Sequence, residues 1–225
     1  MNIFRYVNTS IGQKVVMALT GLALTGFLVA HLTGNLLLYV GPEAINAYAY
    51  GLKSEPTIYL VWAARMGLLF FFGFHAIKGI LLTLSARKAS PKYAYSHTNK
   101  ASVFSKTMIY SGIVLLAFAL YHLAHFTFLW THPEFGSYVD DLGRHDVYRM
   151  AVESFQQPLI SVFYVISMVF LWMHLCHGGS SVFRSLGVSH PSWVFWTDKV
   201  GPLIATVLLL GNCSLPLAVL LGFVK

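Results

Sequence analysis

Four histidines, His31, His75, His122 and His174, each lie in a different long apolar stretch of this 225-residue chain. An imidazole in hydrocarbon is costly, so one found there marks a functional site with a partner to be named. If the stretches are helices, the four fall at only two depths. At a rise of about 1.5 Å per residue, His31 and His122 lie roughly 24 Å from one bilayer edge. His75 and His174 lie roughly 14–17 Å from that same edge. Depth therefore pairs His31 with His122 and His75 with His174. Two imidazoles at one height can hold a porphyrin iron between them, so the pattern predicts two stacked b haems with His31 and His122 on the outer one and His75 and His174 on the inner one. Bis-imidazole ligation leaves no open iron position, which suits electron transfer rather than oxygen chemistry.

The elements that must carry these ligands are legible in the composition. The chain is 56% hydrophobic and only 10% charged, where a soluble domain would be about a quarter charged. Its apolar blocks exceed the roughly 20 residues a helix needs to cross a bilayer. The expected fold is all-α: one multi-pass membrane bundle of five transmembrane helices, about residues 15–40, 58–86, 106–131, 157–183 and 200–224, with no separate soluble domain. Polar connections at 41–57, 87–105, 132–156 and 184–199 separate them. Pro158 and Pro202 are expected in first turns, where proline is tolerated, and Pro216 should kink the last helix. The first block is too long for a signal-peptide core, so no cleaved leader is expected.

Charge sets the orientation. Arg5 and Lys14 precede the first helix, and Arg87, Lys88, Lys92 and Lys100 follow the second, with no acid among them. Glu43, Glu55, Glu134, Asp140, Asp141, Asp146 and Glu153 fill the alternate connections. The positive-inside rule then places the N-terminus in the cytoplasm and the C-terminus outside; the cell's inner (cytoplasmic) membrane is the expected location. Trp62 and Trp130 would mark the outer interface, and Trp193 and Trp196 the inner one. The net charge of +7 sits in loops rather than along a helix face, which argues against nucleic acid as a partner. Cys176 and Cys213 fall in different blocks and are not expected to pair.

Other residues near the ligands have two readings each. Gly26, Gly34, Gly73, Gly79, Gly178 and Gly179 could admit a porphyrin, or could serve ordinary helix packing. His125 and His177 each follow a ligand by three residues and face an adjacent sector of the helix; a hydrogen bond to a propionate or quinone and plain packing are both open. The pairs His122/His125 and His174/His177 could also build a non-haem iron or zinc site. Such sites usually recruit carboxylates, and no apolar block contains one. His97, His132, His145 and His190 fall in loops without an assigned role.

The chain resembles the single-polypeptide, five-helix, di-haem cytochrome b anchor of succinate:quinone oxidoreductase and fumarate reductase (complex II). The resemblance rests on Ser10-Ile-Gly-Gln-Lys14, Ala30-His31-Leu-Thr-Gly-Asn35, Gly41-Pro-Glu-Ala-Ile-Asn46 and Phe74-His75-Ala-Ile-Lys-Gly79. It continues through Ser111-Gly-Ile, Tyr121-His122, Phe163-Tyr164 and Met173-His174, covering about residues 5–185. The fifth helix matches only as a hydrophobic segment.

The resemblance implies axial ligands at His31, His75, His122 and His174. It implies a flavoprotein and an iron–sulfur subunit as cytoplasmic partners, the flavoprotein and not this chain carrying the succinate site. Electrons would pass between the iron–sulfur clusters and a quinone, commonly menaquinone, whose site lies towards the outer haem. Some fumarate-reducing relatives carry a proton-path glutamate where this chain has Trp172. Glu55, at the mouth of the second helix, is a candidate quinone-side group, with Glu43 and Arg65 nearby; each also reads as a solvated loop acid or an interfacial cation. Lys78 and Arg184 could meet inner propionates or simply anchor the bundle. The cytochrome b subunit of a hydrogenase or formate dehydrogenase would share this chemistry. From a different class, a transporter using a histidine proton relay would be expected to carry intramembrane carboxylates and broken helices. A structural anchor with vestigial histidines is the third alternative.

Overall fold

Apolar runs bounded by helix-starting and helix-stopping residues dictate the elements. The computed structural model describes residues 2, 5, 7–89, 103–188 and 190–225; Lys92, His97 and Lys100 lie outside them. Its helices are α1 (Ser10–Asn35), α2 (Pro42–Lys53), α3 (Thr57–Ala89), α4 (Val103–Phe126), α5 (Val147–Gln156), α6 (Pro158–Ser185) and α7 (Pro191–Leu220). Five of them, α1, α3, α4, α6 and α7, are long and apolar enough to cross a membrane. This is an all-α, multi-pass membrane protein. The described residues form no strand, only an isolated bridge between Val139 and His145.

Local chemistry fixes the helix starts. Thr9 Oγ1 accepts from the Gly12 amide at 3.0 Å, and an Asp146 carboxylate oxygen from that of Arg149 at 3.0 Å, each satisfying an amide the helix leaves over. Pro42, Pro158 and Pro191 open α2, α6 and α7, where a missing N–H costs nothing.

The first helix starts at Ser10 rather than 15, and two further departures from the expected bounds have a local cause. The third spanning helix stops at Phe126 rather than 131: the amides of Thr127 and Phe128 turn back to the Leu123 carbonyl at 3.0 and 2.8 Å. Leu129 then takes a positive φ of 55°, so the chain closes off its own carbonyls and leaves the helix. The fifth begins at Pro191 rather than 200, because the His190 cap and Pro191 start it before the charged Asp198–Lys199 step. Pro202 is therefore inside α7, not in its first turn. Its ring leaves the Asp198 carbonyl without a helical donor, and Ser180 Oγ on α6 donates to that carbonyl at 3.0 Å. The helix also continues through the buried Pro216.

Packing centres on α6, which touches α1, α4, α5 and α7. The α6–α7 contact is the most extensive and is closest at Gly179 and Gly201. A Cβ on Gly201 would stand 2.6 Å from the Ser180 amide nitrogen, so only glycine lets these backbones meet. By contrast α3 is almost wholly exposed along apolar residues such as Leu60, Met66, Leu69 and Phe70, a surface suited to lipid rather than water. Trp62, Trp130, Trp193 and Trp196 are all exposed as well.

The two ends of the bundle differ in charge, and are named here the basic and the acidic end. At the basic end, Lys78 Nζ donates to Asn8 Oδ1 at 3.1 Å and Arg184 pairs with Asp198. At the acidic end the connections fold into a cap rather than plain loops. Asn46 of α2, 1% exposed, donates to Asp146 at 3.0 Å and accepts from the Tyr148 amide at 3.0 Å. Arg144 grips Glu43 at 2.7 and 3.0 Å and Asp140 at 2.8 Å. These bonds from Arg144 hold both carboxyls below their ordinary range.

Candidate functional site

Both predicted histidine pairs meet inside the bundle. The rings of His31 (α1) and His122 (α4) have centroids 5.8 Å apart at 87°. Those of His75 (α3) and His174 (α6) are 6.2 Å apart at 61°. An imidazole nitrogen binds a first-row metal at about 2 Å, so two rings on opposite sides of one ion stand about 6 Å apart. The separations fit a bis-imidazole site, and the ring twist is free about the shared nitrogen–metal line.

The basic-end pair is held by two matching clasps. Thr20 Oγ1 on α1 lies 3.1 Å from His75 Nδ1, and Ser111 Oγ on α4 lies 3.1 Å from His174 Nδ1. Each hydroxyl has one proton, and each gives it to its own helix: Thr20 to the Val16 carbonyl at 2.7 Å, Ser111 to that of Met108 at 3.0 Å. The oxygens must then accept from the imidazoles, placing the ring proton on Nδ1 and the lone pair on Nε2. A metal-bound histidine needs that arrangement, its far nitrogen donating to a fixed acceptor. Gly21 and Gly112 follow the two hydroxyl residues. A Cβ there would stand 3.2 Å from Cε1 of His75 and 3.6 Å from Cε1 of His174 respectively, so small residues let the rings lie against the helices.

The acidic-end pair is less symmetric. His31 stacks on Phe27 at 5.3 Å, and Phe118 lies 5.8 Å from His122. Nδ1 of His122 lies 3.3 Å from the Tyr164 hydroxyl, which also lies 3.0 Å from Nδ1 of His125. His125 is wholly buried, and its Nε2 lies 3.1 Å from Ser154 Oγ. A cavity of about 180 Å³ opens beside His31, lined also by Gly34, Asn35, Ile45, Tyr48 and Val147. A second, of about 370 Å³ at the basic end, is lined by Lys14, Met17, Leu82, Ser181 and Arg184.

The secondary candidates separate. Glu55 is exposed, accepts from the Tyr59 hydroxyl at 3.0 Å, and does not line the cavity beside His31. Glu43 is tied up by Arg144, and the Arg65 guanidinium lies over the Trp62 ring at 4.9 Å. Trp172 donates its indole N–H to Thr206 on α7 at 3.2 Å. Among the glycines, Gly34 is filled by Tyr48 and Gly179 by Gly201, while a Cβ on half-buried Gly73 would meet nothing within 4 Å. Gly34 and Gly179 thus serve packing. Among the described residues no three His, Cys, Asp or Glu side chains converge as a non-haem metal site would need. Both cysteines are free.

Sequence reasoning gave no site role to Thr20, Ser111 or Tyr164, the last two entering only as motif residues of the resemblance, and a repeat in the chain marks the first two. Thr20-Gly21 precedes His31-Leu32 by the same interval as Ser111-Gly112 precedes His122-Leu123, with Phe27 and Phe118 in register. Likewise Phe71, His75 and Gly79 of α3 match Phe170, His174 and Gly178 of α6. Each histidine pair therefore takes one ring from each half of a doubled frame. No protein-family model, curated protein or solved structure matches this chain.

Proposed function

We propose that this chain is the membrane-anchor cytochrome b subunit of a succinate dehydrogenase or fumarate reductase. It would relay electrons between an iron–sulfur subunit and a quinone, menaquinone in the first instance, through two b haems. The observation that carries the reading is the pair of facing imidazoles at each of two levels, with His75 and His174 held as Nδ1–H tautomers by Thr20 and Ser111. Haem, when bound, supplies one-electron redox chemistry, and the protein supplies its position and surroundings.

The roles of the chain's own residues follow. His31 and His122 would hold one haem, His75 and His174 the other. Lys14, beside the larger cavity, would meet the carboxylates of the basic-end haem; Lys78 is engaged by Asn8 and Arg184 by Asp198. The cavity beside His31, with Asn35 and the Tyr48 ring in its wall, suits a quinone head group better than the surroundings of Glu55. Quinone chemistry moves protons with electrons, so that cavity also needs a route to water, and it lies under the acidic-end cap.

The test is purification of the tagged full chain from native membranes in mild detergent. The reading expects a flavoprotein and an iron–sulfur protein to co-purify, and succinate to reduce the bound haem. A nickel or molybdenum partner would move the chain to another quinone-linked enzyme. A colourless chain without redox partners would favour a histidine-relay transporter.

A further inference from the structure

The doubled frame is symmetric at the basic end and broken at the acidic end. Each basic-end ring has the same clasp, a hydroxyl followed by glycine, on the neighbouring helix. At the acidic end, the positions that correspond to His125 and Tyr164 in the other half are Gly34 and Arg65. Of the added residues, Tyr164 touches His122 and His125 touches Tyr164; nothing comparable touches His31 among the described contacts.

Their hydrogen bonds have one consistent direction. Ser154 gives its hydroxyl proton to the Met150 carbonyl at 2.7 Å, so its oxygen accepts from His125 Nε2–H at 3.1 Å. A neutral His125 donating from Nε2 has its lone pair on Nδ1, and Tyr164 must donate its proton there, at 3.0 Å. The Tyr164 oxygen is then left to accept from His122 Nδ1–H at 3.3 Å. The far nitrogen of His122 is thereby kept as a lone pair, on a ring whose centroid lies 5.8 Å from that of His31. Ser154 and His125 are both wholly buried, so water does not compete for the chain.

We infer that Tyr164, oriented by His125, is a positioning residue for His122, fixing its tautomer and strengthening it as a donor at the acidic-end centre only. The inference rests on the haem reading above. Accepting a hydrogen bond from the far ring nitrogen raises a ligand's basicity, which favours the oxidised metal. Removing the Tyr164 hydroxyl should therefore make the acidic-end haem easier to reduce and leave the basic-end haem as it was.

The experiment is a haem-resolved redox titration of the intact complex carrying Tyr164→Phe, alongside the unaltered protein. The Phe ring keeps the packing against Phe118, Phe126 and Phe155. The expected result is a threefold to tenfold shift in the reduction equilibrium of one haem, about 59 mV per tenfold for a one-electron couple, with no shift in the other. His125→Gln, whose amide can accept from Tyr164 and donate to Ser154, should stay near the unaltered value; His125→Leu should move towards Tyr164→Phe. Imidazole ¹⁵N spectra should show His125 as the Nε2–H tautomer whether or not haem is bound. Two bound haems with neither potential moved by Tyr164→Phe, or His125 as the Nδ1–H tautomer, would overturn the inference and leave the haem reading standing. Absence of haem from a folded, unaltered protein would overturn the haem reading, and the inference with it.

Discussion

Thr20 Oγ1 stands 3.1 Å from His75 Nδ1 on the neighbouring helix while giving its own proton to the Val16 carbonyl 2.7 Å away. The hydroxyl is thus an acceptor only, and Ser111 repeats the arrangement for His174. Thr20→Val keeps the shape and removes the acceptor. Loss of such a partner typically weakens metal binding about 10–100-fold, so this variant should lose the basic-end haem first during competition with an apo-haem acceptor. Thr20→Ser should retain it. Equal retention in all three proteins would show that the clasp does not act on a ligand.

The glycines beside the clasps differ in how much room they leave. A Cβ on Gly21 would stand 3.2 Å from the His75 ring, tighter than ordinary contact, and one on Gly112 would be at 3.6 Å from His174. Gly21→Ala should shift the basic-end haem spectrum, and Gly112→Ala should leave it unchanged. Low-temperature absorption of the reduced protein checks the contrast, and the reverse order would contradict the clasp geometry.

Gly201→Ala tests the α6–α7 crossing. The added methyl would meet the Ser180 backbone nitrogen at 2.6 Å, and backbone cannot step aside as a flexible side chain can. Overpacking of this kind costs about 1–3 kcal/mol and occasionally more. Gly67→Ala in α3, with nothing within 4 Å of the new atom, should be neutral or slightly stabilising. Thermal unfolding in detergent measures both; equal stabilities would mean that α7 is not held at this point.

Acid should loosen the acidic-end cap before the bundle. Bonds from Arg144 hold the Glu43 and Asp140 carboxyls below their ordinary values. A group lowered in this way contributes stability that is present above its unfolded value, about 4, and lost as pH falls through the folded value. His145 is lowered by burial first and by nearby Lys53 second. Its contribution follows the same sign, beginning to fade below about 6.5. Hydrogen exchange, corrected for its intrinsic pH dependence, should show the α2 amides opening in two stages as pH falls from 7 to 3 while α6 stays protected. No difference between α2 and α6 would contradict this account of the cap.

Much of this was legible in residue type and spacing, for reasons that also explain what was not. The five spanning helices follow from apolar length, and the pairing of His31 with His122 and His75 with His174 from the regular rise of a helix. Depth says nothing about rotation around a helix, so Thr20 and Ser111, polar residues in apolar runs, had no assigned role until their hydroxyls were seen against the rings. The repeat that marks them spans two separated helix pairs with different offsets and is easily passed over. The early start of α7 was hidden because Pro202 resembles a helix start; the Ser180 hydroxyl that satisfies the freed Asp198 carbonyl comes from another helix. Glu55 drew attention as an acid near a helix mouth, but the cavity beside His31 is walled instead by Asn35, at the end of α1, and by Tyr48, brought there by α2.

The central claim is that two facing imidazole pairs hold two haems. Its most direct test is the absorption spectrum of the dithionite-reduced, purified protein with extracted haem counted per chain, for the unaltered chain and for His122→Ala and His174→Ala. The account predicts two non-covalent b haems in the unaltered chain, and in each variant loss or destabilisation of one haem with most of the other retained. A folded protein without haem, or variants that both keep two haems with unchanged spectra, would contradict it.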